Sequence, residues 1–260
     1  MSAAVLTHVA NKVATLTLNR PEAMNAMLPE HLALFISELR AVEARKDVRV
    51  IVVTGAGRSF CSGGDLNFLQ TVRKMSEAEV KEVVYEGFAG ASRALRLCNK
   101  PTIAAVNGPA VGAGCEFAIS CDLRVVKRKA FFSEAWIELG TVPALGGMFI
   151  LPRLIGLGRA TNMILRGTRV YGEEARAIGL AEEVTDEENF QEVVDAMAAD
   201  LARRPPQTMA VAKQGLRRGQ ESSYAAEMEF NVYAQAMLIK GEAHREGVLA
   251  LLEKRPAVFD

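Results

Sequence analysis

Residues 100–125 read KPTIAAVNGPAVGAGCEFAISCDLRV, and their order sets the fold class. Thr102-Ile103-Ala104-Ala105-Val106 is a compact apolar run of the kind a buried strand carries. It stops at Asn107-Gly108. A glycine-rich loop follows, residues 107–116, and leads into the apolar helical run Phe117-Ala118-Ile119. Leu123-Arg124-Val125-Val126 is a further strand. Strands alternating with helices in this way point to an α/β protein.

The same pattern extends outward. Val50-Ile51-Val52-Val53-Thr54 is a second β-branched strand, ending at Gly55. Beyond the turn Gly55-Ala56-Gly57 lies another glycine loop, Ser59-Phe60-Cys61-Ser62-Gly63-Gly64-Asp65-Leu66. Val13–Leu18 alternates apolar residues with threonine, as a half-buried strand does, and Arg20-Pro21 breaks it. Leu32, Phe35, Ile36, Leu39 and Val42 recur at helical spacing. After about Gly146 the pattern is helical. Val193, Val194, Met197, Ala198 and Leu201 form one stripe; Tyr224, Met228, Val232, Ala236 and Ile239 form another. Both stripes are expected to be core. No Pro-rich or Ser-rich linker separates the halves, so the C-terminal helices should pack on the body or on a neighbouring subunit.

Composition narrows the function classes. Half of the 260 residues are hydrophobic, enough for a sizeable core. Lys plus Arg and Asp plus Glu each total 31, so net charge gives no whole-molecule attraction to nucleic acid or an anionic membrane. No run is long and apolar enough for a membrane helix, and the N-terminal stretch does not read as a secretory signal. Cys61, Cys98, Cys115 and Cys121 lack zinc-site spacing, which points to a reduced, cytoplasmic protein. Cys115 reads as a small buried filler, because no histidine is near it in sequence. His8, His31 and His244 form no pattern. Neither a GxxxxGK[ST] loop nor a dinucleotide fingerprint is present, and no metal, flavin or nicotinamide site is visible.

Each glycine loop sits at the end of a strand and before a helix. Glycines let a backbone approach a ligand closely and aim successive N–H groups into a cavity. A helix start adds free donors and positive potential. Two such loops could converge on one oxygen, each donor being worth about 3 kcal/mol in a transition state. Taken as residues alone, the same glycines suit two tight turns equally well.

The motifs SFCSGGDL (59–66) and KPTIAAVNGPAVGAGCEFAISCDLRV (100–125) resemble the enoyl-CoA hydratase/isomerase, or crotonase, superfamily. So do RPEAMNAM (20–27), ELGTVPALGG (138–147), EARAIGLAEEV (174–184) and HREGVLALLEKRPAVF (244–259). The resemblance spans essentially the whole chain, in order. It implies a spiral of ββα units over residues 1–200 and a helical oligomerisation region over 201–260, assembled as a trimer or a dimer of trimers. It also implies an acyl-CoA thioester as substrate, with coenzyme A part of that substrate and no separate cofactor. The oxyanion donors would be the N–H groups of Gly64 and Ala113. Ser62, Asp65 and Leu66 would line the adenine and pantetheine pocket, Ala23 and Met24 would flank the nucleotide, and Lys254 would reach a CoA phosphate on an adjacent subunit. Without the resemblance, Lys254 is a solvated charge at a helix end.

The reaction depends on the acid and base. Glu116, at a helix start beside the second loop, falls at one of the two glutamates that hydratases of this family use. Its helix dipole favours the charged form and burial opposes it. Anchoring on Gly140-Thr141-Val142-Pro143 places Trp136 where the second glutamate is expected. An indole only donates a hydrogen bond. Trp136 therefore either fills a pocket wall or stacks on the acyl group. Glu134 and Glu138 flank it. In an extended segment they would share a face; in a helical turn they diverge. A dehalogenase-type nucleophile is missing, since position 144 is Ala.

The expected activity is enoyl-CoA hydratase or isomerase chemistry. One-carboxylate isomerisation, hydrolysis or decarboxylation is the alternative. A non-catalytic acyl-CoA-binding or RNA-binding role is the second class. Nucleic acid is not expected as a partner, because Arg203-Arg204 and Arg217-Arg218 are short basic pairs and aromatics are 6% of the chain.

Overall fold

The computed structural model describes residues 3–259. Val5–Ala10 (β1) and Val13–Leu18 (β2) pair antiparallel, with Ala10 opposite Val13. The linking Asn11 and Lys12 have φ of 51° and 66°, as a two-residue turn matched to strand twist requires. A 3-10 turn at Pro21–Ala23 leads to Pro29–Ala44 (α1) and Val50–Gly55 (β3). Next come Leu66–Val72 (α2), Glu77–Glu82 (α3) and a π-helical turn, Val83–Phe88, that runs into Ala89–Leu97 (α4).

Thr102–Val106 (β4), Ala110–Val111 (β5) and Ala113–Ser120 (α5) form one strand–strand–helix turn of a spiral. Leu123–Lys127 (β6) and Phe131–Ser133 (β7) begin the next. They are followed by a 3-10 turn at Ala135–Leu139, Gly147–Ile155 (α6), Leu157–Arg166 (α7), Val170–Tyr171 (β8), Gly172–Ala177 (α8) and Glu183–Thr185 (β9). Phe190–Ala202 (α9), Pro206–Arg218 (α10), Tyr224–Ile239 (α11) and Glu242–Leu252 (α12) complete the chain.

The large sheet has the order β1-β2-β3-β4-β6-β9, parallel from β2 onward. Its central strands are buried on both faces, which is why they read as continuous apolar runs. Ile51, Val53, Ala104 and Val106 face α1, α4 and α5 through Leu32, Phe35, Leu39, Ala91, Leu95 and Phe117. The alternate residues Val50, Val52, Ile103 and Ala105 face Phe190, Val194, Ala198 and Ala202 of α9. The first C-terminal stripe is therefore core, as its spacing predicts.

The second stripe is not. Tyr224 is 80% exposed and Val232 57%, and Met228 and Ile239 also stand in the open. Helix α11 turns another edge inward: Glu227 pairs with Arg218 at 3.2 Å, and Phe230 lies against Gly215 of α10. Apolar spacing marks a face without saying what covers it.

A small sheet has the order β5-β7-β8. Cys61 extends it by a parallel bridge to Ala110. Cys61 N–H donates to Pro109 O at 3.1 Å, and Val111 N–H donates to Cys61 O at 3.0 Å. The two glycine loops are thus stitched edge to edge. A Cβ on Gly114 would overlap the Cys61 carbonyl. Gly114→Ala should therefore cost about 3 kcal/mol of stability in urea unfolding; an unchanged midpoint would contradict this packing.

Candidate functional site

The stitched loops bring two unpaired amides together. Met27 N–H donates to Gly63 O at 2.8 Å and Asp65 N–H to Met27 O at 3.0 Å, so the chain on either side of Gly64 is fixed by pairing with residue 27. The amide of Gly64 has no acceptor of its own among the described residues, and neither has that of Ala113, the first residue of α5. A Cβ built on Gly63, whose φ is 99°, would lie 3.6 Å from Ala113 N and 3.0 Å from Val111 O. Backbone alone fits there. The ring of Phe88 and the side chain of Leu69 come to 3.6 Å from a Cβ position on Gly64, giving the loop an apolar wall.

Residues 20–27 brace the first loop. Asn25 is buried, donates to Ala56 O at 2.9 Å and Ser59 O at 2.8 Å, and accepts from Arg20 N–H at 2.9 Å. Met24 accepts from Ser62 N–H at 3.1 Å, and Ala23 and Met24 are half-buried beside it. Asp65 caps α2 through the amides of Asn67 and Phe68 and meets Arg20 at 3.3 Å. These contacts lower its carboxyl despite some desolvation. Asp65 is thus committed to the fold, and Leu66 beside it is exposed. Lys254 stands exposed beyond α12.

One turn into α5, Glu116 is fully buried. Its Oε1 accepts from Leu145 N–H at 2.9 Å and from Gly147 N–H at 2.6 Å. Its Oε2 is buried without a partner. Glu134, immediately after β7, is equally buried, and neither of its carboxyl oxygens has a partner. The two side chains converge: a Cβ on Gly147 would sit 2.9 Å from Glu116 Oε1 and 3.2 Å from Glu134 Oε1. The 3-10 turn at 135–139 separates Glu134 from Glu138. Glu134 points inward, whereas Glu138 is exposed and lies against Gly167.

Trp136 is half-buried, with its indole 3.5 Å from a Cβ position on Gly112, so it walls the second loop. Its Nε1–H is buried and makes no hydrogen bond, although it lies near enough to favour the charged form of both glutamates. Three carboxyl oxygens and one indole N–H are therefore buried near one another without hydrogen-bond partners. Buried polar groups are rarely left so, and the cluster suits a water or a substrate atom.

Burial pushes Glu116 up to about 7, against the pull of the Gly147 and Leu145 amides. Burial, and then the charge of Glu116, holds Glu134 well above the ordinary carboxylate range. Two carboxyl groups so close share one proton more readily than they both ionise. Burial likewise raises the Cys115 thiol, which lies beside Glu134 and is inert filler rather than a nucleophile. No group of three or more metal-ligating side chains comes together among the described residues.

The family model described as enoyl-CoA hydratase/isomerase matches residues 8–260. The 1,2-epoxyphenylacetyl-CoA isomerase of Escherichia coli is 33% identical over 98% of this chain and 97% of its own. The 2,3-dehydroadipyl-CoA hydratase of the same organism is 35% identical over 95% of each chain. The crystal structure of an enoyl-CoA hydratase from Polaromonas sp. superposes with a TM-score of 0.94 at 29% identity, over 98% of this chain and 99% of that one. The chain belongs to the enoyl-CoA hydratase/isomerase family and has its crotonase fold.

The amino-acid order marks the loops and Glu116 and leaves Glu134 open beside Glu138. For Asn25 its place inside RPEAMNAM is the only signal in the sequence. The protonated state of the pair affects stability. A carboxyl held above its ordinary 4.5 binds a proton in the folded chain that the unfolded chain has lost. Its penalty grows as pH rises from about 4.5 to about 7. Glu116→Gln should accordingly gain stability relative to the parent across that window in denaturant titrations; a constant difference would contradict the buried pair.

Proposed function

We propose that this chain is an enoyl-CoA hydratase, adding water across the α,β double bond of an enoyl-CoA thioester. The observation that carries the proposal is the pair of buried, proton-sharing carboxyl groups, Glu116 and Glu134, beside two unpaired amides. The thioester oxygen accepts from the N–H groups of Gly64 and Ala113, and charge that develops on it in the enolate is stabilised there. Water sits between Glu116 Oε2 and Glu134. The ionised Glu116 takes a proton from the water as its oxygen bonds to the β-carbon. The protonated Glu134 gives its proton to the α-carbon. The pair ends with one proton, as it began, and the product is a 3-hydroxyacyl-CoA.

Trp136 stands where the family places its second glutamate, and Glu134 takes over that role from two residues earlier. The indole N–H steadies the pair and its ring bounds the acyl pocket. Coenzyme A enters only as part of the substrate. Its nucleotide and pantetheine lie along Ala23, Met24, Ser62 and the 64–66 backbone, within reach of Lys254 from a neighbouring subunit. Glu138, exposed within the turn, is left as a rim residue. The named relatives support acyl-CoA as the substrate class, and the four buried free thiols suit a cytoplasmic protein.

Glu116→Gln and Glu134→Gln should each lower kcat for hydration of a short enoyl-CoA by about 100-fold or more. If Glu134→Gln hydrates normally, the second carboxyl has no part in the reaction. If it retains only double-bond isomerisation, the one-carboxylate alternative is correct.

We further propose a homo-oligomer, a trimer or a dimer of trimers, closed through the exposed apolar side of α11. Val232→Glu together with Met228→Glu should reduce the mass in sedimentation analysis to that of one chain; unchanged assembly would exclude this face.

A further inference from the structure

Glu116 is tied twice to residues around 145, once through its side chain and once through its main chain. Ser120, one turn later in α5, lies with Oγ 2.6 Å from Glu116 O. Ser92 of α4 lies with Oγ 2.5 Å from Ser120 Oγ and donates to Leu145 O at 2.8 Å. Leu145 N–H returns to Glu116 Oε1 at 2.9 Å, and Gly147 N–H reaches the same oxygen at 2.6 Å. The contacts close a ring: the Glu116 carboxylate, Leu145, Ser92, Ser120 and the Glu116 carbonyl. Ser92 is 1% exposed and Ser120 4%, so water does not compete for these bonds. Two hydroxyl protons serve three short contacts. The proton of Ser92 goes to Leu145 O, and that of Ser120 is shared between Ser92 Oγ and Glu116 O, a chain in which each bond strengthens the next.

We propose that Ser92 and Ser120 are positioning residues for Glu116. They clamp Leu145 from behind, so that the amides of residues 145 and 147 both stay on Oε1 and Oε2 alone is presented to the reaction. Without the clamp, the segment 144–147, which ends in two glycines, has freedom to swing its amides away, and Glu116 can rotate either oxygen forward. The inference rests on the role proposed for Glu116. Three other groups face that carboxyl: Glu134 from the end of β7, Cys115 from its own helix and the indole of Trp136 from the 3-10 turn. None of them is touched by the serines.

The test is Ser92→Ala and Ser120→Ala, each against a hydroxyl-retaining Thr variant, in the intact protein. Two readings are taken. The first is the titration midpoint of the Glu116 carboxyl by carbon-13 NMR, assigned with Glu116→Gln and needing no substrate. The second is the pH profile of kcat/KM. Removing either hydroxyl weakens two bonds that favour the charged form, so the midpoint and the acid limb should rise together by about one pH unit. We expect kcat to fall about tenfold with KM within about twofold, and the Thr variants to recover part of both. A folded Ala variant with an unmoved Glu116 midpoint overturns the proposal. If the Ala variants do not fold, Ser92→Cys, a near-isostere with a weak donor, gives the same comparison. If Glu116→Gln proves fully active, the role of Glu116 fails, while the NMR midpoint still decides whether the serines position it.

Discussion

The pairing of Cys61 with Ala110 is the contact on which the site depends. It lays the loop after β3 against the loop after β4 by ordinary strand hydrogen bonds. Those bonds use the amides of Cys61 and Val111 and stop short of Gly64 and Ala113. The two donors left over lie on neighbouring turns because the sheet has ended there. Glycines at 63, 112 and 114 are what let main chain meet main chain so closely, since side chains at 63 and 114 would crowd carbonyl oxygens and the backbone at 112 has a φ of 53°. An amide that a fold leaves unpaired costs free energy, and it is available to a ligand without rearrangement.

The carboxyl pair follows a related logic. Glu116 is carried to the amides by three residues of helix, while Glu134 arrives from the small sheet, and both are cut off from water. No arginine or lysine pairs with either of them among the described ion pairs. Their charge is limited instead by proton sharing, and two main-chain amides keep Glu116 poised near neutrality. That balance suits the proton exchange proposed for the pair. In the proposed clamp, Ser92 and Ser120 hold the same segment from behind through their hydroxyls.

Much of this was legible in the amino-acid order. The strands around residues 51 and 104 are apolar on both faces, and few other elements read that way. Glu116 stands at a helix start fixed by the glycines before it. Other features depend on geometry that spacing does not encode. Whether Glu134 or Glu138 joins Glu116 turns on whether 134–138 is extended or coiled, and the 3-10 turn decides it. The stripe on α11 has the same period whether it faces a core, a subunit or water. Ser92 and Ser120 are far apart in the chain and share no motif, so only the crossing of α4 and α5 unites them.

The most direct measurement is a crystal structure with an unreactive acyl-CoA thioester analogue bound. The thioester oxygen should lie within hydrogen-bonding distance of both Gly64 N and Ala113 N, with the α- and β-carbons facing Glu116 and Glu134. A thioester oxygen that meets neither amide, or a carbon chain directed away from the two carboxyl groups, would contradict this arrangement.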